Sequence, residues 1–398
     1  MFDFDEVIDR RGTNSLKYDF ASKRGKPEDI LPLWVADMDF QSPPAVLEAL
    51  SQRIQHGVFG YSDAADESYF QALLHWYQNR FDWHPRPEWL VKTPGVVVAI
   101  CTAIRALTKQ GDAVIIQQPV YYPFEGSVKA NDRQLIINRL VYEDGRYRID
   151  INEFERQIIT NQVKLFILCS PHNPIGRVWT KEELTAVGDI CVRHGVYVVS
   201  DEIHADFVYP GYRHLVFAGL KPEYADLTVT CTAPSKTFNL AGLQISNLFI
   251  KNEKIRQQFL SETLKAGYSQ PNLMGLIACQ AAYEQGGQWL EELKHYITDN
   301  LALVRKFCKE ELPVIRLVEP EGTYLVWLDC RALELSDQEL DELMVKKAKL
   351  WLDAGSMFGA DGNGFQRINI ACPRAVLQQA LLRLKEAVES TQSTKMKR

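Results

Sequence analysis

Between residues 113 and 250 the chain repeats one rhythm, and few folds accommodate it. Six short apolar runs, at 113–117, 135–140, 164–169, 196–200, 227–232 and 245–250, are rich in Val and Ile and bounded by Gly, Pro, Asn or Asp. Strands buried on both faces read this way. Longer amphipathic stretches lie between them. Val97, Ile100, Cys101, Ile104 and Leu107 recur at helical spacing over 96–108, and Leu184, Val187 and Ile190 do so over 181–194, where Gly195 marks the stop. Strands alternating with helices imply an α/β domain around a mostly parallel sheet. After about residue 285 the pattern changes. A polar amphipathic stretch over 289–311 precedes a strand at 323–329, more helix, and a strand at 365–370. This is expected to be a smaller α+β domain. The first 46 residues carry few periodic signals and are expected to pack with it. The expected division is therefore 1–46, 47–285 and 286–398.

With 398 residues the chain exceeds one simple core. Its net charge of −6 and the absence of a basic stripe argue against nucleic acid as a partner. The start, MFDFDEVIDRR, is acidic and has no apolar stretch typical of a secretory signal. No apolar run reaches the roughly 18 residues of a membrane helix. Eight cysteines are scattered without a Cys-x-x-Cys pair. Free thiols in a reducing cytoplasm are expected.

Six segments carry candidate chemistry. In Ala233-Pro-Ser235-Lys236 a lysine follows an apolar strand, where burial can lower an amine's pKa enough for Schiff-base chemistry; a structural lysine reaching for solvent is an equal reading. Ligands of open α/β sheets bind at the carboxyl ends of strands. In Asp201-Glu202-Ile-His204-Ala-Asp206 a strand again ends in an acid. Asp201 suits a cationic ring nitrogen, or else caps a helix. His204 reads as a core histidine, and Glu202 and Asp206 as a solvated face. Without a second His/Cys cluster, a metal is not expected. In Ser170-Pro-His-Asn173-Pro-Ile-Gly176 a rigid turn presents an amide that can donate to a phenolate, or an Asn that only shapes the turn. Gly95, ahead of Val96 and Val97, opens a helix whose N–H groups can meet a phosphate, though an ordinary loop-to-helix turn is the commoner reading. Tyr121 lies in an aromatic cluster able to stack on a flat cofactor, although core packing explains most such clusters. Arg367, inside an alternating strand, has a fork suited to a carboxylate, or to a structural ion pair.

Each signal is ambiguous alone, but their order and spacing are specific. The chain resembles the fold-type I pyridoxal 5′-phosphate (PLP) enzymes of the class I/II aminotransferase superfamily, from about Trp34 to Arg374. Within it, Trp34-Val-Ala-Asp37-Met38-Asp39-Phe40, Phe59-Gly-Tyr61, Thr93-Pro-Gly-Val-Val, Asp-Glu-Ile-His-Ala-Asp and Ala-Pro-Ser-Lys-Thr-Phe-Asn-Leu-Ala-Gly-Leu are similar to the cystathionine β-lyase (C–S lyase) branch. Many aminotransferases carry a phosphate-binding arginine eight residues past the lysine; Gln244 stands there.

The resemblance implies a seven-stranded, mostly parallel sheet with flanking helices. It implies Lys236 as the Schiff-base lysine and proton shuttle, and Asp201 as partner of the pyridine nitrogen. Asn173 and His204 would approach the phenolic oxygen, and Tyr121 would stack on the ring. Ser235 and the backbone of Gly95, Val96 and Val97 would hold the phosphate. Arg367, with Asn173 and Tyr61, would bind the substrate. Tyr61 would reach the phosphate of a neighbouring subunit, which implies a homodimer with shared active sites. The expected reaction is α,β-elimination on a sulfur amino acid such as L-cystathionine. A PLP aminotransferase, and a PLP-fold protein with a regulatory protein-binding role, are the alternatives.

Overall fold

The computed structural model describes residues 2–63 and 67–396. The chain divides into two compact units. The larger runs over Gln41–Asn173 and Arg177–Leu290; the smaller takes the residues up to Phe40, Pro174–Gly176, and those from Glu291 onward. The first division falls at Phe40 rather than 46, because the helix Pro44–His56 packs against the helix Leu273–Gln285 of the larger unit.

Seven strands form the sheet of the larger unit: β1 Leu90–Thr93, β2 Ala113–Gln118, β3 Gln134–Arg139, β4 Leu165–Cys169, β5 Tyr197–Asp201, β6 Thr228–Thr232 and β7 Ser246–Phe249. Their spatial order is β1-β7-β6-β5-β4-β2-β3. Six run the same way; β7 lies antiparallel between β1 and β6. The apolar runs end inside the sheet because both faces are covered: β2, β4 and β6 are buried at every position. The helix α1, Val96–Leu107, is apolar over most of its surface and packs with β4, β5 and β6 into one core. The helix Lys181–His194 starts at a capping box, in which Thr180 and Glu183 satisfy each other's backbone amides. It stops at Gly195, whose φ of 64° is the left-handed conformation that glycine adopts without strain.

In the smaller unit, β8 Arg316–Val318, β9 Leu325–Asp329, β10 Asp353–Ala354 and β11 Phe365–Asn369 form an antiparallel sheet in the order β8-β9-β11-β10. Long helices, Gly287–Glu310 and Arg374–Met396, accompany it in sequence. All eight cysteines are free, and seven are buried. Among the described residues no helix is long and apolar enough to cross a membrane.

Candidate active site

Because β1, β2, β4, β5 and β6 are parallel, their carboxyl ends open on one edge of the sheet. Each sends out a loop bearing residues singled out in the sequence. Gly95 follows β1, Tyr121 follows β2, Asn173 follows β4, Asp201 and His204 end and follow β5, and Ser235 and Lys236 follow β6.

Asp201 stands at the centre of that edge. The register sets it opposite Cys169 of β4 and Cys231 of β6. It is only 5% exposed. Its Oδ1 accepts the Ile203 amide at 3.2 Å, which closes a turn and not a helix: the next helix begins at Phe217. The helix-cap reading of Asp201 is thereby corrected. Burial pushes its carboxyl up to about 7, against the pull of the Ile203 amide and the Lys236 charge. Burial likewise holds the flanking Cys169 and Cys231 thiols protonated.

Lys236 lies in the short helix α2, Pro234–Thr237, half-buried beside half-buried Ser235. The turn is fastened from behind. The Phe238 amide donates to the Pro234 carbonyl (2.9 Å) and the Leu240 amide to that of Ser235 (3.1 Å). Thr237 Oγ1 donates to Asp206 Oδ2 at 2.7 Å, and Trp76 Nε1 donates to Asp206 Oδ1 at 3.2 Å.

Asp206 and Glu202 are therefore not a solvated face; both are buried. Glu202 accepts the Ser200 hydroxyl (2.7 Å) and the Phe217 amide (3.1 Å), and shares a hydrogen bond with His214 Nε2 (2.8 Å). Acids at this spacing look helical and exposed. The signal against that was the apolar Phe207-Val208-Tyr209 directly after them, with Pro210-Gly211 next, which leaves no amphipathic helix to carry them.

The Tyr121 amide donates to the Asn173 carbonyl at 3.0 Å, so the loops after β2 and β4 are brought together. The half-buried Tyr121 ring packs against Tyr122 and Phe124, and Asn173 and His204 are buried. Gly95 precedes α1, and a Cβ built there would meet nothing within 4 Å. Val96 is buried and Val97 partly exposed. Tyr61 is 95% exposed, beside a hollow lined by Phe59, Ser62, Gln270, Pro271 and Met274.

Arg367 belongs to the smaller unit. On β11 it forms a buried ion pair with Asp353 of β10. Its Nη2 also donates to the Trp34 carbonyl at 2.7 Å, and the guanidinium lies over the Phe358 ring, 4.9 Å from its centroid. Burial raises the Asp353 carboxyl's pKa, with Arg367 opposing. The structural ion pair weighed for Arg367 is thus present. Asp353, in a two-residue strand, had no sequence signal.

This donor set fits a flat, anionic aldehyde cofactor with a basic ring nitrogen. The sheet edge offers an amine, an amide, an aromatic face and the N-terminus of α1. Asp201 decides the fit. Among the described residues it forms no ion pair, and a buried carboxyl in that state wants a cation. A protonated pyridine nitrogen supplies one. No group of three His, Cys, Asp or Glu able to hold a metal occurs among the described residues.

The family model for class I and II aminotransferases matches residues 28–384. Cystathionine β-lyase PatB of Bacillus subtilis strain 168 is 44% identical over 385 residues, covering 97% of this chain and 99% of the relative. Cystalysin from Treponema denticola, whose crystal structure contains a pyridoxal 5′-phosphate cofactor, superposes with a TM-score of 0.94 at 39% identity, covering 98% of this chain and 100% of that one. A PLP-bound protein of Clostridium difficile 630, provisionally assigned as an aminotransferase, superposes with a TM-score of 0.95 at 42% identity and the same coverage.

Proposed function

The chain belongs to the class I and II aminotransferase family, and from that premise we propose that it is a PLP-dependent C–S lyase. Its substrates are L-cystathionine and related S-substituted cysteines, cleaved to a thiol, pyruvate and ammonia. The observation that carries the cofactor chemistry is Asp201: a buried acid with no ion pair among the described residues, at the carboxyl edge of a parallel sheet, beside the turn that bears Lys236.

PLP, when bound, supplies an aldehyde that condenses with amines and a ring that stores the electron pair released at a substrate's Cα. This chain's residues do the rest. Lys236 Nζ would hold the cofactor by its aldehyde carbon and, when free, would take the substrate's Cα proton. Asp201 holds the ring nitrogen's proton, which keeps the ring a strong acceptor. Asn173, with His204, would donate toward the phenolic oxygen, and Tyr121 would cover the ring face. The Ser235 hydroxyl and the amides of Gly95, Val96 and Val97 hold the phosphate. The Arg367 fork binds the substrate's α-carboxylate. A thiolate bears negative charge well, and Tyr121 would give it a proton as it leaves.

The protein acts in the cytoplasm as a homodimer. Tyr61, too exposed for a core tyrosine, would reach the phosphate in the partner's site.

Holoenzyme given L-cystathionine should release pyruvate, ammonia and homocysteine without any added 2-oxo acid, and borohydride should fix the cofactor on Lys236. Turnover that requires a 2-oxo acid and leaves pyridoxamine phosphate would instead make the protein an aminotransferase.

A further inference from the structure

From Leu33 to Met38 the smaller unit holds six consecutive backbone carbonyls, each with its own donor, although the stretch forms neither helix nor strand. The Asn369 amide donates to Leu33 O (2.9 Å), Arg367 Nη2 to Trp34 O (2.7 Å), and Asn369 Nδ2 to both Val35 O (2.7 Å) and Asp37 O (2.6 Å). The Tyr324 hydroxyl donates to Ala36 O (3.0 Å), and Arg10 Nη1 to Met38 O (3.2 Å). Irregular backbone normally leaves such groups to water.

The same stretch is gripped through its side chains by residues far upstream. Lys17, with 0% of its side chain exposed, places Nζ 2.7 Å from Asp39 Oδ2 and 3.7 Å from Asp37 Oδ1. Arg10 pairs with Asp37 Oδ2 at 2.6 Å and with Asp39 Oδ1 at 2.7 Å. The Tyr18 hydroxyl donates to Asp39 Oδ2 at 3.1 Å. Two cations and two anions are thus gathered around three residues of chain. Buried ion pairs stabilise weakly, because desolvation offsets attraction; what they fix well is geometry. The carbonyl at the head of the stretch, Trp34 O, is held by the Arg367 guanidinium itself.

We propose that Arg10 and Lys17, clamped on Asp37 and Asp39, are positioning residues that set the Trp34–Asp37 backbone against Arg367, and so set the grip on the substrate's α-carboxylate. The proposal rests on reading Arg367 as the carboxylate-binding residue. The clamp touches neither substrate nor cofactor; it acts through the backbone that orients the arginine.

Two holoenzyme variants test it. Arg10→Gln removes the outer, partly exposed cation. Lys17→Met with Asp39→Asn removes the buried pair without leaving a lone charge. The probes are S-methyl-α-methyl-L-cysteine, which has no Cα proton to lose, and 2-(methylthio)ethylamine, which has no carboxylate. Binding is read from the change in cofactor absorbance. Both variants should keep their cofactor and bind the amine as before, yet bind the amino acid about tenfold more weakly, the scale of effect expected from a small misplacement. Amide hydrogen exchange over 33–38 should quicken. If both variants lose amino acid and amine equally, or lose neither, the clamp is structural and the proposal falls. Arg367→Lys is measured alongside. If it keeps the preference for the amino acid over the amine, the reading of Arg367 has failed. If it loses that preference while the clamp variants keep it, the clamp proposal alone has failed.

Discussion

Asp201 of the larger unit and the acids of the smaller unit are buried in opposite ways. In the smaller unit, Asp353 is paired with Arg367, and Asp39 with Lys17 and Arg10. In the larger, Asp201 is just as deeply enclosed but has one backbone amide and no ion pair among the described residues. Equal burial therefore carries different meanings. A compensated acid holds the chain in shape, whereas one without an ion pair suits, on the reading proposed above, a cation brought from outside.

The same acid-to-amide change should accordingly act with opposite sign in the two places. Asp353→Asn strands a buried guanidinium and should cost about 3–5 kcal/mol of stability, read by denaturant unfolding. A cost within error would show that the pair is solvated and the contrast false. Asp201→Asn should instead cost turnover, about 10²–10³-fold in kcat, as expected on losing a preorganised charge in an enclosed site. Near-normal kcat would break the contrast from the other side.

Without PLP, Asp201→Asn should also reveal what burying this acid costs. A carboxyl whose folded pKa is raised from 3.8 to about 7 binds its proton more tightly folded than unfolded. Its contribution is fully present below the unfolded value and is lost as pH rises through about 7. The unloaded Asp201 protein should therefore lose stability between pH 4 and 8 relative to its Asn variant. Equal Tm profiles would mean that the acid is hydrated.

The smallest effect sharpens the picture within the larger unit. Asp206 is hydrogen-bonded to Thr237 and Trp76, so it belongs with the compensated acids although it stands five residues from Asp201. Thr237→Val removes one of those bonds and should cost about 1 kcal/mol of stability. It should also broaden the pH range over which the Lys236–cofactor link titrates in the visible spectrum. An unchanged spectrum would make the fastening purely structural.

The sheet was legible because strands buried on both faces must be continuous apolar runs, and the candidate site was legible because loops follow strand ends. What escaped had the opposite character. β1, with Lys92 in Leu90-Val-Lys-Thr, is not an apolar run; the ammonium is accommodated over the Tyr69 ring, 4.5 Å from its centroid. Lys17 sits in a stretch with no clear period, and its ion pairs with Asp37 and Asp39, some twenty residues away, hold its charge out of water. Glu202 and Asp206 were misread because the chain after β5 folds back in turns, which local spacing does not encode. Long-range compensation of charge is the part of a fold that sequence pattern says least about.

The reversed strand β7 has a consequence for dimensions. Neighbouring strands are about 4.8 Å apart, so one strand inserted between β1 and β6 separates their ends by about 9–10 Å. Register places Ser246 beside Thr93 and Asn247 beside Thr232 at that edge. The loops that lead to Gly95 and Lys236 consequently leave the sheet two lattice steps apart, the distance that the phosphate-binding role proposed for them would have to span. The chain turns into β7 at Gln244, with φ 49°, whose side chain is uncharged and exposed. The separation of the two loops is thus quantised by strand spacing.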